Sequence, residues 1–286
     1  LGREAAHLLV DPVIAGIYAG DAERLSLRAT LPQLARLEDR GQSLLQALIH
    51  GRTSAAHGAS VSPSGVGRRR YVSFRGGIGQ IAERLSALLE PSMETSSPVD
   101  SLRPHDGGWL VEIGGKNPRQ LWADAVVSAV PASALSSFGG NLHPAIASAC
   151  RAVESAPVAV IGLGYSEAQV PHPLNGFGYL VPSREGGSVL GVLWSTSIFP
   201  GHRARSGKVL LTVILGGIRD NRICELDDED LLWTARRQLG RVMGVTAAPC
   251  FHRVVRHPSG IPQYGVGHLG RVAAMDAALE EYPGLF

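Results

Sequence analysis

Few stretches of this sequence carry residue types that could do chemistry. Gly162-Leu163-Gly164 has the opening spacing of a dinucleotide-binding loop but lacks its third glycine and its acidic partner. It also sits within an apolar run, where close backbone packing is the better reading. Gly76-Gly77-Ile78-Gly79 enters a helical pattern, so its backbone N–H groups could face a phosphate or simply form a tight turn. Ser195-Thr196-Ser197 has no Gly-x-Ser-x-Gly elbow around it. Cys150, Cys224 and Cys250 form no CxxC pair and read as inert thiols of a reducing compartment. The ten histidines form no HxxxH or HExxH pair, and no pair of carboxylates stands out. The residues alone assign neither a catalytic group nor a metal ligand.

The elements that would position a site are easier to read. Residues 1–50 are helical in pattern: Ala5, Leu8, Leu9, Val13 and Ile14 give one stripe, and Leu31, Leu34, Leu37, Leu44, Leu45 and Leu48 a second. Ala15 to Asp21 between them reads as a glycine-punctuated turn, with Asp21 able to cap a helical turn after it. Residues 51–70 form a small, polar linker ending in Arg68-Arg69-Arg70, a solvated charge run. A helix comes after the glycines at 76–79. Short strands are predicted at Val99–Leu102 and Trp109–Ile113, and a buried strand at Ala125–Val130, ending at Pro131 before a helix. Residues 157–220 hold four strand runs, Val158–Tyr165, Gly178–Val181, Val189–Trp194 and Lys208–Leu215, whose spacing predicts an antiparallel sheet. A helix at Asp227–Val242 has acidic residues at its start and arginines near its end, as the helix dipole favours. Val254-Val255 begins another strand, and Gly270–Tyr282 is a last helix with Val272, Met275 and Leu279 on one face. The fold class is therefore α/β with an α+β mixture.

Composition narrows the partners. The chain has 286 residues, a net charge of +2, 44% hydrophobic and 18% charged residues. That is too apolar for a disordered segment and too neutral for a nucleic-acid binder. No apolar run is long enough to span a bilayer. The first residue is Leu rather than Met, and Pro283-Gly284-Leu285-Phe286 reads as a strand just starting, so the expectation is a piece of a longer chain.

An ordered set of phrases resembles the protoporphyrinogen oxidase family of flavin enzymes, closest to its bacterial, myxobacterial-type members. The phrases are Gly16-Ile17-Tyr18-Ala19-Gly20-Asp21 with Leu25-Ser26, Phe74-Arg75-Gly76-Gly77-Ile78, Gly108-Trp109, and Ala123 to Ala132. Gly176-Phe177-Gly178-Tyr179-Leu180-Val181-Pro182 comes next, then Phe199-Pro200, Arg203, Gly216-Gly217 with Arg219, and Gly260-Ile261-Pro262-Gln263-Tyr264 with Gly267-His268. Each is weak alone; their order along nearly the whole chain carries the resemblance.

The resemblance implies a monoamine oxidase-like architecture: part of a doubly wound FAD domain, a mixed-sheet substrate domain and a helical lobe. The implied division is 1–70 helical, membrane-facing lobe with linker; 71–142 FAD-domain segment; 143–262 substrate domain; 263–286 return to the FAD domain. It implies FAD as cofactor, a porphyrinogen substrate and molecular oxygen as acceptor, in a six-electron oxidation of protoporphyrinogen IX. FAD would then do the redox chemistry while the protein orients and excludes water, which suits the lack of an acid–base constellation. Carried over by position, Gly16 offers a backbone carbonyl to pyrrole N–H groups, Leu180 and Leu193 sandwich one ring, and Ile214 packs on another. Val99 meets the adenine of FAD, Ala129 and Pro131 lie near the cofactor, and His257 stands where relatives often have Trp. As residues alone, Leu180, Leu193 and Ile214 equally suit ordinary strand core.

The family's N-terminal G-x-G-x-x-G, its propionate-binding Arg and its C-terminal flavin phrase are not in this sequence. The piece alone is therefore expected neither to retain FAD nor to oxidise porphyrinogen. The resemblance implies a cytoplasmic location, with peripheral contact at the inner face of the cell membrane through helices that could also form a homodimer face or a core. Coproporphyrinogen III as substrate, another amine oxidase-group activity, and a non-catalytic tetrapyrrole-binding remnant stay open.

Overall fold

The computed structural model describes residues 4, 6–39, 72–138 and 142–286. The expectations for Ala5, Leu44, Leu45, Leu48, the 51–70 linker and its arginine run lie outside the described residues. Among the described residues the α-helices, in chain order, are α1 (Asp11–Tyr18), α2 (Leu27–Thr30), α3 (Pro32–Asp39), α4 (Gln80–Leu89), α5 (Ala132–Phe138), α6 (Pro144–Arg151), α7 (Ser195–Ile198), α8 (Asp228–Met243) and α9 (His268–Leu279). The strands are β1 (Val99–His105), β2 (Gly108–Ile113), β3 (Arg119–Ala123), β4 (Ser155–Ser166), β5 (Gly178–Leu180), β6 (Val189–Trp194), β7 (Lys208–Gly216) and β8 (Phe251–Pro262). They fold into two compact units, each built from two stretches of chain: Leu1–Ile78 with Ser155–Gln263, and Gly79–Glu154 with Tyr264–Phe286.

The first unit is organised by a five-stranded sheet in the order β5-β6-β7-β4-β8, antiparallel throughout. Strand side chains alternate between faces. One face presents Ala159, Ile161, Leu163 and Tyr165 of β4, Leu211, Val213 and Leu215 of β7, and Val192 and Trp194 of β6, all buried. Helix α8 covers that face. Its Leu231, Ala235, Leu239 and Met243 recur every four residues, which puts them on one helical stripe, and all are buried in the same cluster. Each large side chain removed from water there contributes roughly 1.5–3 kcal/mol as an upper estimate. The helix starts where Asp227 accepts from the Asp230 N–H and stops at left-handed Gly244, as a sequence with acidic residues first and glycine last favours.

In this unit two expectations are corrected. Residues 15–21 are not all turn: α1 runs to Tyr18, because Ala15 is buried and continues the helical stripe of Ile14, and the chain turns only at Ala19, in the left-handed region. The Leu9–Val13 side of the first stripe is not core: Leu9 is 64% exposed, while Ile14 and Ala15 face inward.

The second unit holds a three-stranded antiparallel meander, β1-β2-β3. Trp109 of β2 is fully buried, and its indole N–H donates to the Pro283 carbonyl. Helices α5, α6 and α9 pack on one another through Ile146, Cys150, Leu135, Met275, Ala278 and Leu279. The pattern did not predict β3 or α6. The expected buried strand at Ala125–Val130 is corrected. Residues 126–128 pair in parallel with 284–286 (Val126 N to Gly284 O, Phe286 N to Val126 O, Ser128 N to Phe286 O), but Val127 is 76% exposed. An apolar run gives no information on which of its faces is covered.

Candidate active site

The open face of the first unit's sheet is where the residues expected to bind substrate meet. The register places Leu180, Gly191, Ile214, Val160 and Val255 side by side in one cross-strand row. The next row is Gly178, Leu193, Thr212, Gly162 and Arg253. Paired residues share a face and successive pairs alternate, so Leu180, Leu193 and Ile214 all stand opposite the α8 core. Leu180 and Leu193 are 39% and 38% exposed. Their neighbours Val192 and Val213 are fully buried in the α8 core.

The floor between these side chains is thin because the sequence puts glycine there. A Cβ on Gly162 would lie 3.8 Å from Leu210 Cδ1 and 3.9 Å from Phe251 Cε1, so those two side chains flank the gap. At the β5 edge, Gly178 has φ 142° and its missing Cβ would overlap the Val192 carbonyl oxygen, so only glycine fits that pairing. In the middle of the second row the Thr212 and Ser195 hydroxyls lie 2.8 Å apart, a polar pair within an apolar surface.

Helix α1 walls the Leu180 side. Gly16 packs so closely on Leu180 that a Cβ would overlap Leu180 Cδ2. Gly16 lies in the last turn of α1, where carbonyls lack partners further along the helix and the dipole makes the end electronegative. That wall is tied down at several points. The Ile218 N–H donates to Ala19 O, and Gln263 Nε2 donates to Tyr18 O at 2.8 Å. The Ser183 hydroxyl and N–H both donate to Asp11 Oδ2, at 2.6 and 3.1 Å. The Arg219 guanidinium donates to Asp11 Oδ1 at 2.7 Å and to Asp21 Oδ1 at 2.8 Å. Burial raises the Asp11 carboxyl pKa, but the Ser183 and Arg219 hydrogen bonds outweigh it and hold it below the ordinary value. Arg219 does the same for Asp21, and Asp21 in turn raises the guanidinium.

The residues expected at the cofactor do not share an element. His257 is exposed on β8, paired with Val158 of β4. Val99 opens β1 in the second unit, 37% exposed. Ala129 and Pro131 come after the segment that pairs in parallel with 284–286 and lead directly into α5. The Ser128 hydroxyl next to them is buried without a partner. Sequence reasoning passed over Asp11, Thr212, Phe251 and Arg253. The strand predicted from Val254-Val255 was a usable signal for the last two, since every second residue of β8 shares the open face. Among the described residues no group of three or more His, Cys, Asp or Glu could hold a metal ion.

Comparison with known proteins gives this geometry a family. The family model described as flavin containing amine oxidoreductase matches residues 1–280. The Bos taurus protein named protoporphyrinogen oxidase is 32% identical over 295 residues, covering 99% of this chain and 61% of that protein. The Bacillus subtilis protein named coproporphyrinogen III oxidase is 28% identical over 288 residues, covering 100% of this chain and 60% of that protein. Among solved structures, cyclohexylamine oxidase from Brevibacterium oxydans superposes with a TM-score of 0.65 at 17% identity, over 98% of this chain and 57% of that one, a likeness of fold. The chain thus spans about three fifths of the length of the curated relatives it matches.

Proposed function

This chain belongs to the flavin containing amine oxidoreductase family, and from that premise we propose that it carries the substrate slot of an FAD-dependent oxidase acting on protoporphyrinogen IX. The observation that carries the reading is the single open sheet face on which Leu180, Leu193 and Ile214 stand together beside Gly16. A porphyrinogen is a large, apolar, flexible macrocycle whose polar atoms are pyrrole N–H donors and peripheral carboxylates. An exposed apolar face with glycine gaps gives its rings contact area, and a helix C-terminal carbonyl gives its N–H groups an acceptor. When bound, FAD supplies the redox chemistry, taking six electrons in all from the macrocycle and passing them to molecular oxygen as peroxide. The chain's own part is to hold the rings flat against the sheet, anchor the N–H groups and keep water out.

For the cofactor, we assign Gly79–Glu154 with Tyr264–Phe286 to the FAD-binding portion and Leu1–Ile78 with Ser155–Gln263 to the substrate portion. A parallel strand pair whose end leads into a helix is the setting in which dinucleotides bind in open α/β sheets. Residues 126–128 with 284–286, then Ala129, Pro131 and α5, fit that description. In this reading Ala129 and Pro131 line the cofactor, Val99 meets its adenine through the backbone, and His257 packs beside the flavin.

Coproporphyrinogen III is the second substrate reading, favoured by the likeness to the Bacillus subtilis protein of that name. We also place the enzyme in the cytoplasm. Exposed Leu9, Val13 and Ile17 on the N-terminal helices support peripheral contact with the inner membrane face, and a second copy of the chain could cover the same residues. Among the described residues no helix is long and apolar enough to cross a membrane. The test places these residues in a chain of the relatives' full length, loaded with FAD, and mixes it with each porphyrinogen, first without air and then with it. Bleaching of the flavin, then porphyrin fluorescence and peroxide in air, is expected. Turnover of amines with neither porphyrinogen oxidised would overturn the assignment.

A further inference from the structure

The second row of the open face ends on a cation. Arg253 of β8 pairs with Gly162, which pairs with Thr212, which pairs with Leu193. All four share the face opposite the α8 core. Three strand steps separate Leu193 from Arg253, about 14 Å at the usual spacing between strands. Between them the floor is low, because Gly162 has no side chain. An arginine stem lying over that gap would point its guanidinium back toward the apolar residues.

The two arginines of β8 differ in what they touch. Arg256, one face over, is tied down: it pairs with Asp228 at 2.6 Å and donates to the Leu226 carbonyl at 2.7 Å. Arg253 is exposed and makes no ion pair or hydrogen bond with a described residue. A cation at the rim of an apolar surface, with no carboxylate of its own, suits a ligand that brings one.

We propose that Arg253 is a carboxylate anchor of the substrate slot, gripping a propionate of the porphyrinogen while Leu180, Leu193 and Ile214 hold its rings. The inference rests on the porphyrinogen reading and deepens it. A guanidinium pairs with a carboxylate through two parallel N–H donors, so the anchor fixes how the macrocycle is turned on the sheet as well as adding affinity. A macrocycle stripped of its acids would keep the apolar contacts and lose the grip.

The same full-length, FAD-loaded form is titrated with protoporphyrin IX and with its dimethyl ester, following porphyrin fluorescence, for wild type and for Arg253→Gln and Arg253→Lys. We expect Arg253→Gln to weaken binding of the diacid by about tenfold, the low end for a lost hydrogen bond to a charged group, and to leave binding of the diester unchanged. Arg253→Lys keeps part of the affinity. With porphyrinogen, KM rises in Arg253→Gln while kcat stays within about twofold, since the anchor only binds. Unfolding temperatures stay alike, because the side chain is exposed and unpartnered. Equal binding of diacid and diester by wild type, or a diacid affinity unmoved by Arg253→Gln, overturns the anchor while the porphyrinogen reading stands. A wild type that binds neither porphyrin overturns both.

Discussion

Arg219 and Asp11 are 208 residues apart in the chain and 2.7 Å apart in the fold. The pair fastens the start of α1 to the end of β7, and Asp21 takes the other arm of the same guanidinium at 2.8 Å. Helix α1, which carries Gly16, is thereby clamped at both ends against the sheet whose open face it walls.

Arg219→Met is expected to destabilise the first unit by about 2 kcal/mol. Losing one partner of a buried pair costs about 3–5 kcal/mol, and exposure discounts this. Here the Asp11 side chain is 4% exposed but the Arg219 side chain is 36% exposed, so water takes up part of the loss. Denaturant unfolding measures it directly. Asp11→Asn in the same background adds little further cost, because the two residues act as one unit.

The same clamp makes stability sensitive to acid. Asp11 and Asp21 are both held below their ordinary value of 3.8 in the folded state. A carboxyl depressed on folding contributes stability that is fully present above the unfolded value and is lost as pH falls through the folded one. The loss should therefore begin near pH 3.8 and grow below it. Denaturant midpoints measured down this range should fall more steeply for wild type than for the double variant Asp11→Asn, Asp21→Asn, which has no such carboxylates to protonate.

Two glycines of the site should respond in opposite ways to alanine. At Gly16 the obstacle is the far end of the Leu180 side chain, which is half-exposed and can move. Alanine in a helix also gains up to about 1 kcal/mol over glycine, so Gly16→Ala should leave the unfolding temperature nearly unchanged. It pushes Leu180 into the slot and should raise KM for porphyrinogen several-fold. At Gly178 the obstacle is the Val192 carbonyl, and φ is 142°. Backbone cannot step aside, so Gly178→Ala should cost about 3 kcal/mol or more and lower the yield of folded protein.

Much of this arrangement was legible in the sequence, and the reasons it was incomplete are physical. Apolar runs bounded by glycine and polar turns, such as Val189–Trp194, announced their strand state. Helix α8 announced its own state, through caps and a four-residue repeat that agree with each other. The residue pattern alone could not say which face of β6 is covered, because Leu193 and Val192 are chemically alike and only the partner α8 distinguishes them. The run at Ala125–Val130 misled for the same reason. Arg253 and Thr212 were missed because their significance lies in cross-strand register between residues up to some ninety positions apart. Asp11 looked like an ordinary residue before a proline until a distant arginine came to it.

The alternation supplies the sharpest test of where the slot is. Leu193 and Val192 are adjacent in β6, yet one is 38% exposed and the other is fully buried under α8. A charge at each position should therefore fail differently. Val192→Asp buries an unpaired carboxylate in the core, a change severe enough to prevent folding. Leu193→Asp leaves its carboxylate in reach of water and should cost about 1 kcal/mol or less in unfolding experiments. It also places a negative charge on the apolar surface that must hold the rings, so porphyrin binding should fall by at least about a hundredfold in the fluorescence titration. A folded Leu193→Asp protein that binds porphyrin as wild type does would move the slot off this face of the sheet. Leu193→Met, similar in volume and apolar, should bind nearly as wild type, which separates the charge from any effect of shape.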